Sequence, residues 1–197
     1  MALTRRQIKI LLGTLMGDGR LQVLSKRSAR LRIEHSLKQR FYVWWKHREF
    51  QKIMQDKPEV MERENPIFGK VYHYCRCQTL TLPELRKFYT LFYKRRRKII
   101  SPELKKLFIS PLSLAVWYMD DGYYYRRDKT AYIYLSNYSR KEFQLLQEIL
   151  QKNFGLENHL YRKKKGYCFY FPVKDTKKLI KLVRPYVLEK FRYKISS

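Results

Sequence analysis

Two nine-residue segments constrain the fold of this chain more than any other feature. LLGTLMGDG occupies 11–19 and LAVWYMDDG occupies 114–122. Each is an apolar run at helical spacing that ends in Asp-Gly, and each is followed by short segments of alternating polarity. Self-similarity of this kind marks one structural unit used twice. The surroundings repeat in the same order. Arg30-Leu31-Arg32-Ile33-Glu34 and Tyr132-Ile133-Tyr134-Leu135-Ser136 alternate as half-buried strands do. An amphipathic helix comes next in both halves, with Phe41, Trp44 and Trp45 in one and Phe143, Leu146 and Leu150 in the other.

Each half then predicts a hairpin, near 59–78 with a turn around Asn65-Pro66 and Gly69, and near 158–173 with a turn at Gly166. A third helix closes each half, through Leu85, Phe88, Tyr89 and Phe92 or through Leu179, Ile180, Val183 and Tyr186. The reading is an α+β fold of two pseudo-symmetric αββαββα repeats, over 1–93 and 110–197, joined by a basic linker at 94–109. Thr4 and Gln7 form a capping box for the first helix. Ser110 caps the second motif helix, with Pro111 in its first turn. Residues 112–119 are apolar nearly all round, so that helix must be buried on every side. The two motif helices are therefore expected side by side at the centre, with two saddle-shaped antiparallel sheets outside. Gly13 and Gly17 form a small-residue stripe for close approach; Val116 and Asp120 stand at the matching positions and are bulkier.

Charge narrows the partner. Lys and Arg total 44 against 17 Asp and Glu, a net charge of +27. Such a body attracts polyanions, and a phosphate backbone rewards each Lys or Arg contact by releasing counterions. No apolar run approaches a membrane span, and no signal-peptide core is present, so a membrane role is not expected and an intracellular setting is. Cys75, Cys77 and Cys168 lack metal spacing and read as reduced, buried thiols. His35, His47, His73 and His159 lack it too and receive no chemistry.

The paired acids have a physical logic of their own. An Asp at the C-terminal end of a helix faces the negative end of the macrodipole. Two such helices packed together would bring Asp18 towards Asp121, and like charges repel. A hard divalent cation such as Mg²⁺ relieves both problems and supplies an activated water.

The motifs at 11–19 and 114–122 resemble the paired signature of the LAGLIDADG homing endonucleases, of the two-motif monomeric type. The second copy resembles the branch that includes the mitochondrial omega-intron endonuclease. The resemblance spans nearly the whole chain and implies that the residue before the final Gly is the metal-binding acid, Asp18 in one copy and Asp121 in the other. Gly17 and Asp120 would offer backbone carbonyls. The internal repeat selects Asp121 over its acidic neighbour Asp120, because Asp18 precedes Gly19 as Asp121 precedes Gly122. The resemblance also implies that Lys98 and Lys194 reach back to the site, one per half. Mg²⁺ is the expected cofactor, with Mn²⁺ able to substitute. The activity implied is hydrolysis of both strands of a long asymmetric duplex site, leaving 3′ overhangs cut across a minor groove.

The strand faces would read the DNA. The outward residues expected in the first half are Arg20, Gln22, Arg30, Arg32, Glu34, Lys70, Tyr72, Tyr74, Arg76 and Gln78. In the second they are Tyr123, Tyr125, Tyr132, Tyr134, Ser136, Tyr161 and Lys163. Lys26 and Arg27 in one loop, and Arg126 and Arg127 in the other, are expected to grip phosphate or reach flanking bases. Arg and Gln suit bidentate base reading, whereas Tyr favours shape and methyl contacts, so the target should be asymmetric. A maturase that binds intron RNA, or a non-cleaving DNA-binding protein on the same fold, is the alternative. The host could be an organelle or a prokaryotic cytoplasm.

Overall fold

A computed structural model describes residues 2–64, 69–164 and 166–195. In chain order the helices are α1 (Arg5–Met16), α2 (Arg40–Glu49), α3 (Pro83–Phe92), α4 (Leu104–Leu107), α5 (Pro111–Asp121), α6 (Arg140–Phe154) and α7 (Val173–Val183). The strands are β1 (Arg20–Val23), β2 (Ala29–Ser36), β3 (Glu59–Glu64), β4 (Val71–Gln78), β5 (Tyr93–Lys94), β6 (Arg97–Lys98), β7 (Gly122–Tyr125), β8 (Thr130–Leu135), β9 (His159–Lys163) and β10 (Gly166–Phe171). Two four-stranded antiparallel sheets run in the orders β1-β2-β4-β3 and β7-β8-β10-β9. The second order is the first with every strand advanced by the same step, so the repeat read in the sequence is a repeat of topology. The fold is α+β, as expected. By compactness the chain forms two units, residues 1–7 with 18–90, and residues 8–17 with 91–197. Among the described residues no helix is long and apolar enough to cross a membrane.

Local chemistry accounts for most elements. The capping box of α1 forms in both directions: Thr4 N donates to Gln7 Oε1 at 3.0 Å, and Gln7 N to Thr4 Oγ1 at 3.2 Å. Ser110 sits at the N-cap of α5 with Pro111 behind it, but its side chain makes no capping hydrogen bond. The whole run from Leu112 to Met119 is buried. In β2 the inward set is Ala29, Leu31, Ile33 and His35. The turn expected around Asn65-Pro66 lies outside the described residues. Gly166 does not form the second turn itself; it opens β10, paired with Lys163, at a φ of 136° that side chains rarely adopt. Tyr186 lies past the end of α7, in a 3-10 turn.

One helix faces differently from the sequence expectation. The aromatics Phe41, Trp44 and Trp45 suggest the buried stripe of α2, yet the structure buries Tyr42, Val43 and Lys46 and leaves Trp44 41% exposed. The stripe at 42, 43, 46 and 50 has equally good helical spacing and continues into the fully buried Phe50. It is hard to see in the sequence because a lysine stands in the middle of it. The lysine stem packs as an apolar chain, and its ammonium meets polar partners at the end.

The basic stretch 94–109 carries structure of its own. The ladder of β5 and β6 turns through Arg95 and Arg96, both at positive φ, and α4 follows. Glu142 anchors the stretch to α6. It accepts from Arg97 Nη2 at 2.7 Å, from Ile100 N at 3.2 Å and from Ser139 N at 2.7 Å, the last as part of a capping box. Burial pushes its carboxyl up, but the hydrogen bonds from Ser139, Arg97 and Ile100 outweigh burial and hold it below the ordinary glutamate value. The stabilisation is therefore complete at neutral pH and is lost as pH falls through the lowered value. Glu142→Gln should cost about 1–2 kcal/mol at neutral pH, since Arg97 is half exposed and partly screened. It should also flatten the acid limb of a urea-denaturation series, and an unchanged acid limb would count against this role. The three cysteines are free and buried, and burial pushes the Cys77 thiol up to about 12.

Candidate active site and nucleic-acid interface

The motif helices meet through their small residues. A Cβ placed on Gly13 would press on the Ser113 carbonyl and stand 2.6 Å from Val116 Cβ. One on Gly17 would stand 2.5 Å from Asp120 Cβ. No real Cβ comes that close, so glycine is required at both positions. The bulk of Val116 and Asp120 therefore does not hold the helices apart; it fills the space that the glycines leave. Ser113 Oγ donates to Lys9 O at 2.8 Å and adds a polar tie between α1 and α5.

Each helix ends on carbonyls that no further turn satisfies, and a lysine serves each end. Lys98, on β6, donates to Gly17 O at 2.5 Å. Lys194, in the 3-10 turn Glu189–Lys194, donates to Met119 O at 2.6 Å and to Asp120 O at 3.2 Å. In both repeats the lysine thus holds the carbonyl immediately before the motif acid. A cation at a helix C-terminus offsets the negative end of the macrodipole, so acids there are better tolerated. Lys194 is itself buried, and Tyr118 Oη donates to its carbonyl at 2.8 Å, which fixes the tail. The sequence predicted that both lysines reach back, and the structure places both ammonium groups at the motif helix ends.

The acids have different surroundings. The Asp18 side chain is 50% exposed and its Oδ2 lies 3.5 Å from His35 Nδ1. His35 Nε2 lies 3.3 Å from the ammonium of Lys46, which is fully buried and sits 4.2 Å over the Tyr42 ring. Neither His35 nor Lys46 was picked out in the sequence. The inward parity of position 35 in an alternating strand was the available signal. Asp121 ends α5 partly exposed. Tyr138 senses it: burial, and to a lesser degree the Asp121 charge, push that phenol above its ordinary range.

The sheet faces fall largely where alternation put them. In the first sheet Arg20 pairs with Arg32, Gln22 with Arg30, Glu34 with Arg76, and Arg32 with Gln78, so these side chains share one face. Tyr72 and Tyr74 join them from β4, paired with Arg63 and Met61 of β3. Arg63 is an addition to the expected set; it donates to Glu34 Oε1 at 2.8 Å and lies over the Tyr74 ring. Glu34 also lies 3.6 Å from Arg32, so it stands between two cations. Lys70 is exposed just before β4.

In the second sheet Tyr123 pairs with Tyr132, and Tyr132 with Tyr170. Tyr134 and Tyr161 both pair with Cys168 on the same face. Tyr170 stacks on Tyr161 at 5.2 Å and meets Tyr132 at 5.4 Å. Tyr170, paired with His159 of β9, adds to the expected set; β10 reads in the sequence as a continuous aromatic run with no alternation. Tyr125, Arg127, Tyr132, Tyr134 and Lys163 line one shallow concavity with Tyr123. Ser136 is exposed just past β8. Lys26 and Arg27 are exposed in a loop closed by Ser25 and Ser28, whose hydroxyls lie 2.7 Å apart. Arg126 and Arg127 are exposed at the turn after β7, Arg127 paired with Asp128 at 3.0 Å.

Comparison with known proteins agrees with this geometry. The profile of the LAGLIDADG DNA endonuclease family matches residues 8–179. The chain is similar to the probable intron-encoded endonuclease 1 of Wickerhamomyces canadensis, at 28% identity over 98% of this chain and 85% of the relative. It is similar to the DNA endonuclease I-ChuI of Chlamydomonas applanata, at 25% identity over 100% of this chain and 97% of the relative. Among solved structures, the homing endonuclease I-WcaI bound to its DNA recognition sequence superimposes with a TM-score of 0.90 at 27% identity, covering 100% of this chain and 88% of that one.

Proposed function

The chain belongs to the LAGLIDADG DNA endonuclease family, and from that premise we propose that it is a metal-dependent endonuclease that cuts both strands of a long, asymmetric DNA site. The observation that carries the reading is the repeated helix end. α5 ends on Asp121 and α1 ends at Met16, two residues before Asp18, and in both repeats a lysine from a distant segment holds the carbonyl just before the acid. A binding module has no need of that arrangement twice.

Asp18 and Asp121 are the proposed metal-binding acids, one per repeat, with the carbonyls of Gly17 and Asp120 beside them in sequence. The donor set is all oxygen and suits a hard cation, Mg²⁺ with Mn²⁺ as substitute. When bound, the cation would lower the pKa of a water and stabilise the leaving oxygen of phosphate. The chain's own part is to present the acids at the ends of the motif segments and to place an ammonium on the carbonyl that precedes each. Lys98 and Lys194 can answer negative charge as it develops on phosphorus oxygens. The sheet faces place Arg, Gln and Tyr side chains where they could meet base edges, and the exposed loop cations supply phosphate contacts. The different chemistry of the two faces supports an asymmetric target. With both repeats in one chain, a monomer suffices, and 3′ overhangs are the expected product.

The test is digestion of a randomised plasmid library with Mg²⁺, with sequencing of the ends. Recovery of one long site with 3′ overhangs is the expected result, and a library left intact would overturn the reading in favour of a binding protein. If about 8 phosphates are contacted, log affinity for that site should fall against log salt with a slope of about −7. A slope near zero would remove the electrostatic part of the argument.

A further inference from the structure

The two repeats support their acids differently. Strand register sets the correspondence: Arg20 pairs with Arg32 as Tyr123 pairs with Tyr132, and α2 opens at Arg40 as α6 opens at Arg140. His35 therefore corresponds to Leu135, and Lys46 to Leu146. The first repeat carries a buried polar pair where the second carries two leucines. Leu146 is fully buried, so packing at this position is satisfied by an apolar side chain. A fully buried ammonium costs free energy unless it is well partnered, and replacing such groups with hydrophobes of similar size often stabilises a protein. Lys46 thus has a use other than filling the core.

That use can be read from hydrogen-bond chemistry. An ammonium has three donors and no acceptor. At 3.3 Å from Lys46 Nζ, His35 Nε2 must present its lone pair. A neutral imidazole then carries its proton on Nδ1, the atom 3.5 Å from Asp18 Oδ2. We propose that Lys46 fixes the tautomer of His35 so that Nδ1–H holds the Asp18 carboxylate in place, which makes His35 and Lys46 positioning residues for one of the two strand cuts. In this arrangement both ring nitrogens are turned to protein partners. Because Asp121 has Leu135 and Leu146 at the corresponding places, the dependence belongs to the first repeat's cut alone. The strand-specific part rests on the endonuclease reading above; the proton's placement does not.

Two measurements decide it. The first needs no DNA: a long-range ¹H–¹⁵N spectrum of histidine-labelled protein. The expected result is a neutral His35 with the proton on Nδ1 in the wild type, and loss of that preference in Lys46→Leu. A wild-type His35 protonated on Nε2, or on both nitrogens, overturns the proposal.

The second is cleavage of a duplex labelled separately on each strand. His35→Leu and Lys46→Leu, which import the second repeat's residues, should slow one strand by about 10–100-fold, the usual loss when a group orienting a ligand is removed. The other strand should keep its rate, so nicked duplex accumulates. His35→Asn leaves a donor near the place of Nδ1 and should recover most of the lost rate, with the effect in kcat and not in KM. Equal slowing of both strands, or no gain of His35→Asn over His35→Leu, would assign the pair to stability alone and overturn the proposal. A wild type that cuts nothing overturns the endonuclease reading and the strand assignment with it, while the spectrum still judges the pairing of His35 with Lys46.

Discussion

Asp18→Asn and Asp121→Asn should each lower double-strand cleavage by on the order of 10³-fold while leaving DNA affinity near the wild-type level. The substitution is isosteric and removes one negative charge and one hard ligand. Metal-assisted stabilisation of a phosphoryl transition state is worth several kcal/mol, and a loss of about 4 kcal/mol corresponds to about 10³ in rate. Binding should stay near the wild-type level, because the Lys and Arg contacts to phosphate, which dominate affinity, are untouched. The lysines at the helix ends keep their carbonyl acceptors in both variants, since those are backbone atoms. The measurement is a digestion time course at several Mg²⁺ concentrations beside a binding titration in Ca²⁺. Equal cutting by either variant would remove that acid from the chemistry.

The second large effect concerns stability. Gly13→Leu should lower the unfolding free energy by about 3 kcal/mol and the melting temperature by roughly 6–12 °C. A Cβ at Gly13 meets the backbone carbonyl of Ser113 and the Cβ of Val116, and neither can swing away as a long side chain would. The helices must separate, and α5, buried from Leu112 to Met119, loses its packing against α1. Helix propensity favours leucine over glycine by about 1 kcal/mol, which offsets only part of the loss. Thermal unfolding followed by circular dichroism measures the sum. An unchanged midpoint would mean that the helices do not rely on this contact.

How far the sequence could be read depended on whether the deciding signal was local. The repeat, the capping box at Thr4 and Gln7, and the alternation in β2 and β8 are local, and the structure has all of them. The reach of Lys98 and Lys194 to the helix ends was available only through resemblance, since each bond spans most of a repeat. In α2 aromatic size suggests the wrong buried side, because the sheet beneath selects the stripe through Lys46. Metal spacing along the chain is a local signal, and the histidines lack it. His35 meets Asp18 across a hairpin and Lys46 from a helix, so no linear spacing could reveal it. Tyr170 was hidden in an apolar run whose two faces alternation could not separate.

The grouping of residues 8–17 with 91–197 has a consequence for synthesis. The hydrogen bond from Ser113 to Lys9 closes a span of 104 residues. At ribosomal speeds of about 5–20 residues per second, α1 waits roughly 5–20 s for its partner helix to emerge. Through that interval Ile10, Leu11, Leu12 and Leu15, all fully or nearly fully buried in the finished fold, have no α5 to cover them. The nascent first half is therefore a natural client for a ribosome-associated chaperone, and a chain truncated before Pro111 should depend on one to stay in solution.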